Sequence, residues 1–312
     1  MPNVPYDNFY LSNEIEDQFN SHLDLQRFCT VDNSLVGTAG MTRKINVYSA
    51  TNGTEIVTLG NGNTKSIEVG YTQKDYTIKL AQNRFQYYDE EAMTDPMVVT
   101  VGTRHAGTDM FNTVNGDIYG EFAKATRVLP VTGFDFAAFA DAQAMLNVED
   151  LEGITIFGFV SPTDMAAVRK ALKDDLKYVE AFSRNGYIGT VAGVNLYTKQ
   201  DATPGVIYMA TPEAVTIFNK KGVEVEQITA NNRSETAANV RQNTIFSRKY
   251  YLAALTDETK DIAIKAGVTA TLTEDTTVQE GTDYYAKDGA GYVKVTPAAG
   301  DNPSSKGWYE LA

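Results

Sequence analysis

One stretch of the sequence, residues 41–84, constrains the fold more than any other. Its apolar residues alternate with polar ones at a period of two, which is typical of half-buried β-strands. The alternating positions are Ile67, Val69, Tyr71, Tyr76, Ile78 and Leu80. Two dipeptides, Asn52-Gly53 and Asn61-Gly62, favour tight hairpin turns, because both central residues of such turns need positive φ. The segment is therefore predicted to be a long β-ribbon.

A ribbon of this kind cannot be stable alone. Two strands of about 15–20 residues would reach on the order of 50–65 Å at the usual rise per residue. An isolated two-stranded ribbon is at best marginally stable in water. Something outside the ribbon should therefore bury its apolar face.

The next segment predicts one long helix over residues 94–128. Asp95 is a good N-cap, and Pro96 suits the first helical position, where its missing N–H would have no partner. The helix contains four glycines, each of which costs up to about 1 kcal/mol relative to alanine. They are Gly102, Gly107, Gly116 and Gly120. Tertiary or intersubunit packing must then hold the helix, and the glycines permit close backbone approach.

Residues 134–266 predict a mixed α/β region, so the fold class is α+β. A continuous apolar run is typical of a buried strand, and Ser161-Pro162-Thr163-Asp164 is a strong helix start. The predicted elements are a helix over 134–146, a buried strand over 154–160, a helix from Ser161 to Leu172, a helix from Thr211 that ends at Gly222, a polar loop over 229–244 and a long strand over 245–255.

Residues 268–312 shift in composition towards Thr, Asp, Gly and Tyr. Apolar and aromatic residues flank the turn sequence 288–291, which predicts a β-hairpin. Trp308, the only tryptophan, lies near the end. We interpret this stretch as a small appended β module that needs support from the rest of the chain.

Composition excludes several classes of protein. The 312 residues carry 40 acidic and 27 basic side chains, a net charge of -13, which disfavours broad binding to nucleic-acid phosphates. No apolar run approaches the ~18–20 residues of a membrane span, and no secretory signal is recognisable. The single cysteine, Cys29, cannot form an internal disulfide. We expect a soluble protein of a reducing compartment, or one assembled there, with no membrane association.

No catalytic, cofactor-binding or metal-binding residue can be assigned from the sequence. His22 and His105 lack the spacing of a known metal-ligand pattern. Nothing marks Cys29 as a nucleophile, and a buried inert thiol is the preferred interpretation. The acidic clusters Asp89-Glu90-Glu91 and Asp174-Asp175 could serve acid–base chemistry or a divalent ion. A solvated face or an intersubunit charge patch is the preferred interpretation of both clusters.

The order of elements, together with several local sequences, resembles a known family. The order is arm, ribbon, glycine-bearing helix, α/β region and return strand. The local sequences are 30–41, 87–97, 210–226 and 247–257. They resemble the major capsid (head) proteins of tailed double-stranded-DNA bacteriophages, which have the Hong Kong 97 fold. The resemblance covers about residues 1–266.

The resemblance implies an arrangement of domains and a way of burying the ribbon. Residues 41–84 would be the extended loop that lies over a neighbouring subunit. Residues 268–312 lie outside the family pattern and would be a surface module. The other implied parts are an N-terminal arm at 1–40, a peripheral domain at 85–130 and 213–248 with its spine helix at 94–128, and an axial domain at 131–212 and 249–266.

The resemblance also implies a function without an active site. The chain would be a shell subunit that assembles with itself into hexamers and pentamers of an icosahedral phage head, in the host bacterial cytoplasm. Its partners would be a scaffold protein, a portal protein and a decoration protein, and the double-stranded DNA would be enclosed without tight binding. Some members form a Lys–Asn crosslink, but nothing here supports one, and Lys44, Lys65 and Lys74 are interpreted as rim charges.

Two alternatives stay open. The first is an encapsulin-like cage of the same fold that encloses cargo proteins and no genome. The second is a hydrolase or binding protein with a site in the α/β region, using Asp174, Asp175 or the cluster 89–91. Neither alternative requires a cofactor that the sequence identifies.

Overall fold

The computed structural model describes residues 23–51, 53–95, 97–146, 153–173 and 190–312. The fold is mixed α and β, and the chain divides into two compact units. Of the described residues, the first unit contains 32–51, 53–95, 97–106 and 218–252. The second contains 23–31, 107–146, 153–173, 190–217 and 253–312.

The elements are numbered in chain order through the described residues. The strands are β1 Thr30–Asp32, β2 Thr42–Ala50, β3 Val69–Thr77, β4 Lys79–Tyr88, β5 Arg127–Val131, β6 Ile156–Val160, β7 Thr190–Val191, β8 Val194–Thr198, β9 Val206–Ala210, β10 Val215–Ile228, β11 Gln242–Leu255, β12 Asp261–Ala266, β13 Ala270–Leu272, β14 Tyr285–Asp288, β15 Gly291–Lys294 and β16 Tyr309–Leu311. The α-helices are α1 Asp89–Thr94, α2 Met97–Phe122, α3 Phe136–Leu146, α4 Pro162–Ala171 and α5 Glu235–Asn239.

A four-stranded sheet, in the order β1-β10-β11-β4, forms the body of the first unit. Strands β11 and β4 pair antiparallel from Gln242↔Tyr88 to Tyr251↔Lys79. One face of β4 packs on the start of α2, where the Asn83 side-chain amide donates a 2.7 Å hydrogen bond to the carbonyl of Ala106. This contact and the packing of Phe85 hold the helix against the sheet.

Gly102 of α2 is a position where close packing requires glycine. A Cβ atom added at this position would lie 2.2 Å from Cζ of the Phe85 ring. We expect Gly102→Ala to lower the free energy of unfolding by about 1–3 kcal/mol, because overpacking outweighs the better helix propensity of alanine. Thermal or denaturant unfolding of the unassembled chain measures the change.

Gly120→Ala is the matched control on the same helix. A Cβ atom there would meet nothing within 4 Å, so this variant should gain up to about 1 kcal/mol. Equal changes in the free energy of unfolding for the two variants would show that the contact with Phe85 is not the reason why position 102 requires glycine.

A ten-stranded sheet, in the order β13-β16-β14-β15-β5-β12-β9-β6-β8-β7, forms the second unit. The interior strand β6 is buried along its whole length, as expected for a strand covered on both faces. On one face, Phe157 and Phe159 pack against the ring of Phe28, with centroid distances of 5.0 and 5.3 Å. The main hydrophobic core includes buried residues of β9, β12, α3 and α4.

The C-terminal strands extend this same sheet. Strands β14 and β15 form the predicted hairpin, with Asp288 opposite Gly291, and β15 then pairs antiparallel with β5 at Tyr292↔Val128. The ring of Tyr284, fully buried, lies 5.8 Å from that of Trp308. Its hydroxyl donates a 2.5 Å hydrogen bond to Asp275. The support that this small segment needs comes from β5.

Several predicted elements differ from the structure. The predicted helix from Thr211 to Gly222 is wrong: residues 211–214 form a turn, closed by the Ala214 N–H to the Thr211 carbonyl, and β10 follows as one strand. Consecutive β-branched residues favour that strand. The predicted helix over 94–128 is shorter, since residues 127–131 form β5. The polar loop over 229–244 contains the short helix α5.

The ribbon is also shorter than predicted. Each of its strands has nine residues, so the regular part reaches about 30 Å at the usual rise. Residues 79–84, predicted as part of the ribbon, belong to β4 of the four-stranded sheet. Among the helices that the structure describes, none has the length and apolar character needed to cross a membrane.

Candidate intersubunit surface

The ribbon strands β2 and β3 form a separate two-stranded sheet. Tyr48 lies opposite Tyr71 in the register, and their ring centroids are 6.1 Å apart. Both side chains are about two-thirds exposed, at 67% and 68%. Ala50 lies opposite Val69 on the same face, and Val69 is exposed too. The ribbon thus presents apolar surface to solvent where a folded domain would bury it.

The ribbon tip, defined here as residues 53–68, is held by its own hydrogen bonds. The Asn63 side-chain amide donates to the carbonyl of Gly53 at 3.0 Å. The Glu55 carboxylate accepts from the backbone N–H of Thr64 at 2.9 Å. Ile56 and Leu59 are nevertheless fully exposed, each at 105%. The tip is therefore held by hydrogen bonds of its own and exposes two large aliphatic side chains. These are the features expected of a segment that docks on another surface.

The base of the ribbon is anchored within the first unit. The backbone N–H of Ile78 donates to the carbonyl of Met41 at 2.8 Å, just below the strand pair. The ring of Tyr76 stacks on Phe218 of β10, with a centroid distance of 5.0 Å and an interplanar angle of 23°. The Lys220 ammonium donates to the carbonyls of Leu35 and Thr38, which fixes the turn before β2. The ribbon therefore projects from a fixed base.

The ribbon lysines lie among exposed charges. Lys44 is 3.6 Å from the carboxylate of Asp75, and Lys65 is 3.8 Å from that of Glu55. Both lysine side chains are at least 60% exposed, so each pair contributes little stability. Lys74 lies opposite Ile45 in the register. This placement supports the interpretation of these lysines as rim charges.

Each carboxylate of the acidic cluster Asp89-Glu90-Glu91 has its own partners. Asp89 accepts from the guanidinium of Arg233 at 2.6 Å and from the side-chain amide of Asn243 at 2.7 Å. Glu90 pairs with Arg241 at 3.0 Å, and Glu91 accepts from the backbone N–H of Tyr88 at 3.0 Å. The carboxylates do not converge on one point, so the arrangement fits a structural role better than a shared ion or an acid–base pair.

The pair between Arg233 and Asp89 carries a testable pH dependence. The hydrogen bond from Arg233 and that from Asn243 hold the pKa of Asp89 below its ordinary value. A lowered folded-state pKa contributes stability above the unfolded pKa, and that stability is lost as pH falls through the folded pKa. We expect Arg233→Ala to cost about 1–2 kcal/mol at neutral pH, less than a fully buried charged hydrogen bond, because Asp89 is partly exposed.

Denaturant unfolding of wild type and Arg233→Ala at several pH values checks this expectation. The difference between the two stabilities should shrink in acid, where Asp89 is protonated in both chains, and the part that remains reflects the lost hydrogen bonds from Arg233 to Asn243. Arg233→Lys, which keeps the charge and loses the planar guanidinium, should be intermediate. A difference that stays constant down to acidic pH would contradict the assignment.

The other sequence candidates form no site among the described residues. His105 is an exposed residue of α2. Cys29 is buried, its thiol donates to the carbonyl of Leu25 at 3.4 Å, and burial raises the pKa of the thiol to about 12. His22, Asp174 and Asp175 lie outside the described residues. Within the described ranges, no group of three or more His, Cys, Asp and Glu side chains could hold a metal ion.

The structure contains one buried acid that the sequence did not indicate. Asp261, the first residue of β12, is fully buried, and neither of its carboxyl oxygens has a hydrogen-bond partner of ordinary geometry. Burial raises its pKa well above the ordinary value, an effect that the neighbouring Ile262 amide offsets only in part. Burial also raises the pKa of the Tyr208 phenol on β9, and the nearby Tyr119 and Asp261 raise it further. An aspartate before an apolar run usually marks a turn, so the sequence held no signal of burial.

Comparison with solved structures places this geometry among known folds. The capsid of the cyanophage P-SCSP1u is similar over 77% of this chain and 86% of that chain, with a TM-score of 0.57 and 12% identity. The capsid of a native GTA particle is similar over 78% of this chain and 89% of that one, with a TM-score of 0.59 and 13% identity. The chain has the fold of phage capsid proteins.

The capsid fold extends to a particle that is not named as a phage. A virus-like particle from Pyrococcus furiosus is similar over 84% of this chain and all of that chain, with a TM-score of 0.54 and 12% identity. No protein-family model matches the sequence, and no curated protein matches it. The predicted α+β class and the predicted Hong Kong 97 fold are therefore confirmed by the structural similarity.

Proposed function

We propose that the chain is a structural subunit of a closed protein shell and that the ribbon is completed by a second copy. The single observation that carries this proposal is the exposed apolar tip, Ile56 and Leu59, on an anchored ribbon. Full burial of each side chain would contribute about 1.5–3 kcal/mol. In this proposal the tip docks on a different surface of the second copy, so the contact is head-to-tail and can close into rings.

The capsid fold supports a more specific proposal about the shell and its contents. The rings would be hexamers and pentamers, and the shell an icosahedral phage head that encloses double-stranded DNA. The acidic balance of the chain, with its net charge of -13, suits a container that holds DNA without adhering to it. The scaffold, portal and decoration proteins belong to this proposal, as do assembly in the host bacterial cytoplasm and a location in the virion. No catalytic role forms part of it.

The domain assignment remains part of the same proposal. Of residues 41–84, the part before β4 would serve as the extended loop, 85–130 and 213–248 as the peripheral domain, and 131–212 and 249–266 as the axial domain. Residues 1–40 would form the arm. Residues 268–312, whose strands extend the sheet of the second unit, would lie at the shell surface.

A cargo-enclosing cage is the second candidate, because one similar structure is that of a virus-like particle. Electron microscopy of the purified chain tests both candidates. Closed shells, tubes or ring-shaped capsomers are expected, whereas a compact monomer at high concentration would contradict the proposal. The contents of particles isolated from the native source separate the candidates: protected DNA supports the phage head, and an enclosed protein supports the cage.

A further inference from the structure

The ribbon tip contains an asparagine–glycine pair in an exposed turn. The N–H of Asn61 donates to the carbonyl of Thr58 at 3.0 Å, and Gly60 adopts a positive φ of 97°. Asn61 and Gly62 are both exposed. Within the described part of the chain, neither the Asn61 side-chain amide nor the Gly62 backbone N–H takes part in a hydrogen bond. The two groups that react in asparagine deamidation are therefore adjacent and unrestrained.

We infer that Asn61 is a site of spontaneous deamidation in the unassembled chain. In this reaction the backbone nitrogen of Gly62 attacks Cγ of Asn61 after solvent base removes its proton. The Cγ–Nδ2 bond breaks, and ammonia leaves with a proton from water. Water then opens the cyclic imide at either carbonyl, giving aspartate or isoaspartate. Nothing is oxidised or reduced, and water is the only co-reactant.

The fold distinguishes this pair from another one with the same two residue types. Asn115-Gly116 lies inside α2, and Asn115 is buried. Its side-chain amide donates to the carbonyl of Leu23 at 3.1 Å, and its oxygen accepts from the N–H of Leu25 at 3.2 Å. Because these two hydrogen bonds hold the Asn115 side chain within a helix, it is not free to turn its Cγ towards the Gly116 nitrogen. Sequence alone would rank the two pairs equally, and the structure separates them.

The new carboxylate would arise at the surface that the proposed function buries. Asn61 follows Leu59 by two positions, and an unpaired charge brought into an apolar contact is costly. This second step rests on the proposed function: deamidated chains would enter shells poorly, and assembled chains would be protected. The pair would then act as a marker of subunits that have stayed unassembled.

Peptide mapping by mass spectrometry, with aspartate and isoaspartate peptides separated, tests the site. The full chain is incubated in mildly alkaline buffer, beside a short unstructured peptide that contains Asn61 and Gly62. Asn61 should lose its amide while Asn115 retains it. Gly62→Ala should suppress the loss without disturbing the tip, because a Cβ atom there meets nothing within 4 Å. An intact Asn61 beside a deamidated peptide, or undiminished loss in Gly62→Ala, would overturn the inference.

Assembly assays separate this inference from the proposed function. Asn61→Asp should lower the yield of shells, and Asn61→Gln, which keeps an amide and forms the imide poorly, should not. Equal yields from both variants, or equal deamidation in shells and in free chains, would overturn the marker role. If the wild-type chain forms no shells, the proposed function fails while deamidation of the free chain can still be observed.

Discussion

Replacing Ile56 and Leu59 together with aspartate is expected to abolish shell assembly and leave the subunit folded. Both side chains are fully exposed within the single chain, so the replacement removes no internal packing. Their burial against a second copy would contribute together about 3–6 kcal/mol per contact. That is a factor of roughly 10²–10⁴ in the association constant, and the loss recurs at every contact of a closed lattice. Electron microscopy and light scattering measure assembly, and circular dichroism checks the fold.

A charge-matched variant controls for the added negative charge. Leu272→Asp combined with Val278→Asp also places two aspartates at exposed apolar positions, but within the C-terminal strands and turns. This control should assemble as the wild type does. If both variants assemble normally, the ribbon tip is not an intersubunit contact. If both fail, net charge and not the tip limits assembly.

Asp261→Asn is expected to stabilise the subunit at neutral pH and to flatten the pH dependence of unfolding. The buried carboxyl has a folded-state pKa well above the ordinary value of 3.8. Its contribution to stability is therefore fully present below the unfolded pKa and is lost as pH rises through the folded pKa. A tenfold change in proton affinity between the folded and unfolded chains corresponds to about 1.4 kcal/mol. Each tenfold difference that burial produces would add this amount to the gain at neutral pH, so the gain should be positive.

Denaturant unfolding of the unassembled chain across pH measures this effect. The advantage of Asp261→Asn over wild type should be smallest in acid and should grow as pH rises. Asp257→Asn serves as a control, since Asp257 caps a short turn at the surface, where its carboxylate accepts from the N–H of Thr259. An advantage of Asp261→Asn that does not change with pH would show that the carboxyl is not buried in the protonated form.

The sequence predicted an element correctly where a single local rule, such as helix capping or a turn sequence, accounts for that element. Ser161 caps α4 as expected, with its hydroxyl accepting from the N–H of Asp164. The continuous apolar run over 154–160 contains the buried strand β6. The turn at 288–291 joins β14 and β15. In each case the neighbouring residues alone determine the local structure.

Tertiary context decided the elements that the sequence mispredicted. Thr211-Pro212-Glu213 has the composition of a helix start, but the long strand β10 follows it, paired with β11. Alternation at Tyr76, Ile78 and Leu80 indicated one continuous strand, whereas the chain passes there from the ribbon to the four-stranded sheet. A period-two pattern records which residues face a surface and carries no information about the strand that pairs with it.

The sequence predicted that the ribbon needs an intersubunit surface, but it did not predict which residues form that surface. The need for an outside partner followed from the marginal stability of a two-stranded ribbon. Ile56 and Leu59 could not be selected in advance, because an apolar residue in a sequence looks the same whether it is buried or exposed. Asp261 escaped notice for the converse reason, since aspartates are rarely buried.

Hydrogen–deuterium exchange of the ribbon tip, residues 53–68, tests most directly whether a second copy completes the chain. The tip amides should exchange rapidly in the unassembled subunit and slowly in purified shells, and the amides of β6 should be protected in both. Tip amides that exchange equally fast in shells and in free subunits would contradict the account.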